Sequence, residues 1–247
     1  MSEGVEEGDA SPVSPYAHRQ GGRLRSRLSR VKFLAAYSIW RRKIDRHAGP
    51  IDSPLSVLEV GCGAGNFLEC LKAWYPRARL QAIDLDAAVV APCARRHADV
   101  NFVRSRSEEL PFESESFDVI SALQVIEHFP HPEAFLRESA RVLRAGGLML
   151  LATPNTEGLA AQWLGEKWPG IRPDHISLRS PNEWRRAVRE AGFESLSEGT
   201  TLLAGFRLLG RPPLSLPLQL LQAVFGWFPW RRGESFMMVA RRVESRG

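Results

Sequence analysis

No apolar run in this 247-residue chain is long enough to cross a bilayer as a helix. Cysteine is scarce: Cys62, Cys70 and Cys93 are an odd number, and no two have the C-x-x-C spacing of a zinc or redox site. A disulfide framework is thereby excluded, and reduced, buried thiols in a cytoplasmic setting are the expectation. The first residues are polar and acidic, with Glu3, Glu6, Glu7 and Asp9, the opposite of a secretory leader. Acids are then nearly missing between Arg19 and Arg46, where ten Lys/Arg face the single Asp45. Such a segment can meet an anionic membrane or nucleic acid, or be the solvated face of an amphipathic helix. No zinc-finger spacing or RNA-binding signature accompanies the charge, so no nucleic-acid partner is expected.

What is present is an alternation of strands and helices. Residues 1–16 are polar and marked by Pro and Ser, and a disordered tail is expected there. Residues 17–49 form a basic helical segment, with Leu24, Leu28, Val31, Leu34, Ala35 and Ile39 on one stripe and Gly49–Pro50 as its stop. From residue 50 to 247 a single α/β domain follows. "SVLEV", "RLQAIDL", "VNFVRS", "FDVISAL" and "LMLLATP" read as strands. Between them lie "GNFLECLKAW", a helix capped by Asp86 with an awkward Pro92, and "PEAFLRESARVLRAGG" with a glycine stop. "SPNEW" opens a further helix through a capping box of Ser180 and Glu183. "FESLSEGTTLL" and "ESFMMVARR" are late strands. Repeated β-α units predict a doubly wound, mostly parallel sheet whose ligand lies beyond the strands' carboxyl ends.

"VLEVGCGAGNF" sits at that place. Gly61, Gly63 and Gly65 give G-x-G-x-G with Asn66 next, whereas a pyrophosphate turn needs G-x-G-x-x-G. Glu59 would repel a phosphate and suits a cationic group. Asp84, ending the second strand, can accept two hydrogen bonds from a ribose diol. A ligand with a ribose, a positive charge and no phosphate fits, and S-adenosylmethionine has a ribose, an ammonium and a sulfonium.

These motifs, with "SEELPFESESFDVISALQVIEHFPHPEAFLRESARVLRAGGLMLLATPN" and the later "SPNEW…EAGF", resemble the class I S-adenosylmethionine-dependent methyltransferases, similar to the ubiquinone-biosynthesis O-methyltransferase-like group. The resemblance covers roughly Ser56 to Phe193. It implies a Rossmann-like seven-stranded sheet with an antiparallel last strand and an N-terminal helical cap. By it, Glu59, Gly61, Gly63 and Gly65 hold the methionine end of S-adenosylmethionine, and Asp84 holds the ribose. Leu85, Ser107, Glu108 and Leu123 flank the adenine and line the pocket. Arg106 departs from the family, which often has an acid there; either Glu108 or a backbone carbonyl takes its place, or adenine is held loosely. Asp86 is read only as a helix cap.

Methyl transfer needs a proton acceptor near the substrate. His128 in "VIEHFPHP" and His175 in "DHISLRS" are the catalytic candidates; Glu127 is read as structural and His131 as a turn residue. Related quinone enzymes place a Glu-His pair there, sometimes with a metal; Gln124 replaces the upstream acid, so no metal is expected. The acceptor is a small molecule selected by residues 17–48, 156–178 and 205–231. The last of these, rich in Leu, Phe and Trp with flanking arginines, is either a peripheral membrane contact or a lid. Its amphipathic character and the basic first helix favour a lipophilic or membrane-presented acceptor, and the resemblance favours O-methylation; the expected setting is the cytoplasm or the inner face of a membrane. Two competing classes are a non-catalytic S-adenosylmethionine-binding protein and an NAD-dependent oxidoreductase, which the glycine pattern and Glu59 oppose.

Overall fold

The computed structural model describes residues 27–48, 54–201 and 231–244. The expected tail and the segment 205–230 lie outside these residues.

The seven strands are β1 (Ser56–Val60), β2 (Arg79–Asp84), β3 (Asn101–Arg104), β4 (Phe117–Leu123), β5 (Leu143–Pro154), β6 (Phe193–Thr200) and β7 (Ser235–Arg242). They form one sheet in the order β3-β2-β1-β4-β5-β7-β6. Strands β1 to β5 pair in parallel, and β7 inserts antiparallel to both β5 and β6. The order reverses between β1 and β4, so the crevice beyond their carboxyl ends is the switch point of the sheet. The fold is the Rossmann-like α/β sheet with an antiparallel last strand that the sequence predicts.

Alternation of side chains explains the two layers. Val57 faces one side of the sheet and Leu58 the other, and both are buried, as a central parallel strand requires. On the first face lie α1 (Arg27–His47) and α2 (Asn66–Trp74), through Ile39, Trp40 and Ile44 of α1 and Phe67, Leu71 and Trp74 of α2. The described part of α1 is therefore anchored in the core. Tyr75, after α2, adds a hydrogen bond from its hydroxyl to Asp45 at 2.8 Å. On the second face lie α4 (Pro132–Val142) and α6 (Pro181–Glu190), through Phe135, Leu136, Trp184 and Val188. The helix α3 (Ala87–Arg96) packs beside β2 and β3 and continues past Pro92. A short α5 (Leu159–Leu164) lies in the 156–178 insertion.

One boundary differs from expectation. The helix predicted over "PEAFLRESARVLRAGG" ends at Val142, and Leu143 already pairs with Phe117 at the start of β5. Gly146 does adopt φ +76°, yet it bends the strand entry rather than stopping the helix. The buried side chains of Val142 and Leu143 draw the chain into the sheet early.

The capping box of α6 is present as predicted. Ser180 Oγ accepts from the Glu183 amide at 3.3 Å, and the Ser180 amide donates to Glu183 Oε2 at 2.7 Å. Ser180→Ala should lower stability by about 1 kcal/mol. Denaturant unfolding measures this, and cofactor affinity should be unchanged.

Candidate active site

Strands β1 and β2 end side by side, with Val60 opposite Ile83. The chain leaving β1 then turns sharply, and Gly61, Gly63 and Gly65 all take positive φ (70°, 49° and 70°). At Gly61 there is a second reason for glycine. A Cβ there would lie 2.3 Å from Cγ2 of Val125, which follows β4. The turn is tied down by Gly61 and Cys62 amides donating to the Ile83 carbonyl at 2.9 and 3.4 Å. From α3, Cys93 Sγ donates to the Gly63 carbonyl at 2.9 Å, and Arg96 holds the Ala64 carbonyl at the same distance.

Asp84 is held by two backbone amides. Gly63 donates to its Oδ2 at 3.3 Å and Asp86 to its Oδ1 at 3.1 Å. Each oxygen retains a lone pair, so the carboxylate is oriented and can still accept a diol. Asp86 accepts from the Ala88 amide at 2.8 Å, which makes it the helix cap predicted for it. Glu59 is 6% exposed, and its Oε2 has no hydrogen-bond partner. Burial pushes its carboxyl well above the usual range; Cys93 and Asp84 add to the push, and the Leu68 amide opposes it. Burial is also the main cause of the raised Asp84 carboxyl. An orphaned buried carboxylate beside a glycine cradle fits an ammonium or sulfonium and repels a phosphate.

The adenine side is built from the next strand. Arg104, at the end of β3, donates to the Leu85 carbonyl at 3.0 Å and joins the two loops. Leu85 stands exposed at that mouth, and Ser107 is buried and donates to Glu108 Oε2 at 3.1 Å. Leu123 ends β4 and packs partly against the core.

The catalytic candidates come together in the turn that follows Val125 and in the loop that packs on it. The Val125 carbonyl accepts from the His128 amide at 2.9 Å, closing a 3-10 turn over Ile126–His128. The rings of His128 and His175 meet edge to face, with centroids 4.7 Å apart. His128 Nδ1 lies 2.7 Å from the Asp174 carbonyl, and His175 Nδ1 lies 2.6 Å from the Gly170 carbonyl. A carbonyl cannot donate, so each Nδ1 carries the hydrogen and each Nε2 the lone pair. Arg172 clamps Asp174 through two bonds of 2.9 Å and fixes the loop that holds His128. Burial lowers the proton affinity of His128, and the Asp174 carbonyl opposes that effect.

Three participants escape a reading of the sequence. Glu127 reads as structural there, yet it is 1% exposed, its Oε2 lacks a partner, and burial pushes its carboxyl up to about 7. The signal available is its place between apolar Ile126 and His128 in a tight turn. Asp174, beside His175 in "DHIS", is a visible acid-histidine pair whose partner turns out to be His128. Val125 gives no sequence signal, because only the fold lays it on Gly61.

The family model described as a methyltransferase domain matches residues 33–198. The chain belongs to this methyltransferase family. Among its relatives is a phthiotriol/phenolphthiotriol dimycocerosates methyltransferase of Mycobacterium ulcerans, 39% identical over 109 residues, covering 43% of this chain and 40% of that protein. Another is a malonyl-[acyl-carrier protein] O-methyltransferase of a Paenibacillus species, 30% identical over 179 residues, covering 67% and 65%. The chain thus spans less than two thirds of either relative. The same fold occurs in an S-adenosylmethionine-dependent methyltransferase from Aquifex aeolicus, with a TM-score of 0.58 at 17% identity over 87% of this chain and 93% of that one. The methyl donor of such a domain is S-adenosylmethionine, and the glycine turn, Glu59 and Asp84 have the backbone shape and charge that the sequence expects of its site.

Two outcomes check the cofactor site. Asp84→Ala should weaken S-adenosylmethionine binding at least tenfold in calorimetry, since charge-assisted hydrogen bonds are worth about 1.5–3 kcal/mol each. Glu59→Gln should weaken it too, while raising the melting temperature of the cofactor-free protein at neutral pH. The sign follows from linkage: the folded-state pKa of Glu59 is raised, so stability is lost as pH rises above the ordinary glutamate pKa, and the amide removes that loss.

Proposed function

We propose that this protein transfers a methyl group from S-adenosylmethionine to a nucleophile, preferentially an oxygen, on a small lipophilic acceptor. The observation that supports this reading is that Val125, whose side chain abuts Gly61 of the glycine turn, leads into the short turn that carries His128 beside His175. When bound, S-adenosylmethionine supplies an electrophilic methyl carbon and its own leaving group. The chain's share is to align the partners and to accept a proton. Glu59 holds the cationic end and Asp84 the ribose. The proton of the acceptor is taken at the imidazole pair, where His128 Nε2 has the lone pair and Asp174, clamped by Arg172, keeps the ring in that tautomer. Ser177 binds this loop back to the turn, through its amide to the Glu127 carbonyl at 2.9 Å and its hydroxyl to the Phe129 carbonyl at 2.6 Å.

A lipophilic acceptor is supported by the surface next to His175. Trp163, Ile171 and Ile176 are 80%, 51% and 58% exposed, all within the 156–178 insertion. Apolar side chains so exposed around a polar cluster fit an apolar molecule presenting one reactive group. The names of two relatives agree in kind: one acts on dimycocerosates and the other is an O-methyltransferase. No described helix is long and apolar enough to cross a membrane. Contact with a membrane surface through 205–231 therefore remains a proposal resting on the aromatic and arginine content of that segment.

Methyl-labelled S-adenosylmethionine incubated with total lipid and with aqueous metabolite fractions tests the reading. Label should enter the lipid fraction. His128→Ala should cut that incorporation about 100-fold or more, with cofactor affinity unchanged. Label in the aqueous fraction alone would overturn the lipophilic acceptor, and no label in either would overturn the reaction.

A further inference from the structure

Beyond the carboxyl ends of β5 and β6 lies a cavity of about 180 Å³, lined by no residue of the glycine turn or of the histidine pair. Glu157 follows β5, Phe236 stands near the start of β7, and Pro181 and Arg185 come from the first turns of α6. Glu198 of β6 and Arg231 complete its charged lining. In the strand order β7 stands three places from β1, on the order of 14 Å at ~4.8 Å per strand. The cavity is therefore separate from the glycine turn.

Two of the four charged groups satisfy each other. Arg185 Nε donates to Glu198 Oε2 at 2.7 Å, and Arg185 Nη1 donates to Asn182 Oδ1 at 2.6 Å. Ser195 Oγ donates to the other Glu198 oxygen at 2.9 Å. The Arg185 guanidinium also lies over the Phe236 ring, 5.3 Å from its centroid. Glu157 and Arg231 behave differently. Among the described residues, neither the Glu157 carboxylate nor the Arg231 guanidinium has a hydrogen bond or ion pair, with each other or with any other group. Their backbones are nonetheless held by one side chain. Asn155, fully buried, accepts from the Glu157 amide at 3.1 Å and donates to the Arg231 carbonyl at 2.8 Å. A buried asparagine thus sets an acid and a base on the walls of one cavity, and the two do not pair.

We propose that this cavity binds a small zwitterion, with its ammonium at Glu157 and its carboxylate or phosphate at Arg231. A ligand with one charge meets one attraction and one repulsion there, whereas a zwitterion meets two attractions. The planar fork of arginine holds either acid group through paired N–H donors. The volume sets the size of the occupant. It is below the roughly 300–1,000 Å³ of pockets that take drug-sized molecules. An amino-acid-sized ligand fits, its short carbon chain against Pro181 and Phe236. Occupancy joins the first residues of the 156–178 insertion to the connection that enters β7. Binding here is independent of the methyl-transfer reaction.

The test is an NMR titration of the full chain with β-alanine and with O-phosphoethanolamine. Propionate, ethyl phosphate and ethylamine serve as single-charge controls. At least one zwitterion should bind at a single site, and every control at least tenfold more weakly. Tighter binding of β-alanine supports a carboxylate ligand, and tighter binding of O-phosphoethanolamine a phosphate ligand of the lipid-headgroup kind. Arg231→Gln and Glu157→Gln should each weaken binding tenfold or more, while S-adenosylmethionine affinity and circular dichroism stay as in the parent. Arg231 is exposed and Glu157 half-buried, so neither change disturbs the core. No binding of either zwitterion, equal binding of the controls, or binding indifferent to either substitution overturns the site. Loss of S-adenosylmethionine affinity in these variants, with circular dichroism intact, overturns its separation from the cofactor turn.

Discussion

The side-by-side ending of β1 and β2 is the constraint from which the site follows. Parallel pairing sets Val60 against Ile83, so the turn after one strand and the carboxylate after the other share one edge. The Gly63 amide then reaches Asp84, and the Gly61 amide reaches Ile83. A turn this tight needs left-handed backbone at three places within five residues, and glycine meets that need without steric cost. Helix α2 starts where the turn ends, and its Leu68 amide reaches the buried Glu59 carboxyl. Burying an acid with one orphaned oxygen is unfavourable for the fold alone.

The sheet was legible because its strands are short apolar runs separated by helices of clear period. Asp86, Ser180 and Glu183 cap helices as their spacing predicts. The error at Val142 has a definite origin: Leu143 is apolar and fits a helix stripe as well as a strand, and only the pairing with Phe117 decides. The residues expected to hold the cofactor, in Glu59–Gly65, Asp84–Leu85, Ser107–Glu108 and at Leu123, stand in short stretches that can be read from local backbone shape and charge. The acceptor side is assembled from distant segments. Asp174 and His175 are 46 and 47 positions from His128, and no local rule says that the two histidine rings meet. The burial of Glu127 is a tertiary fact that its sequence neighbours do not show.

Family membership fixes the architecture and the donor, while the acceptor is a matter for the parts that vary around the sheet. The insertion carrying Trp163, Ile171 and His175 is where this chain presents its own surface. It is anchored at both ends: Asn155 donates to the Arg231 and Gly233 carbonyls at 2.8 and 2.7 Å, and the α6 capping box closes the far side.

Val125 gives that arrangement a further meaning. Its side chain fills the space a Cβ on Gly61 would take, and its carbonyl ties down His128. One residue thus touches both the glycine turn and the turn that carries His128, so a change of side-chain volume at position 125 would be felt in both.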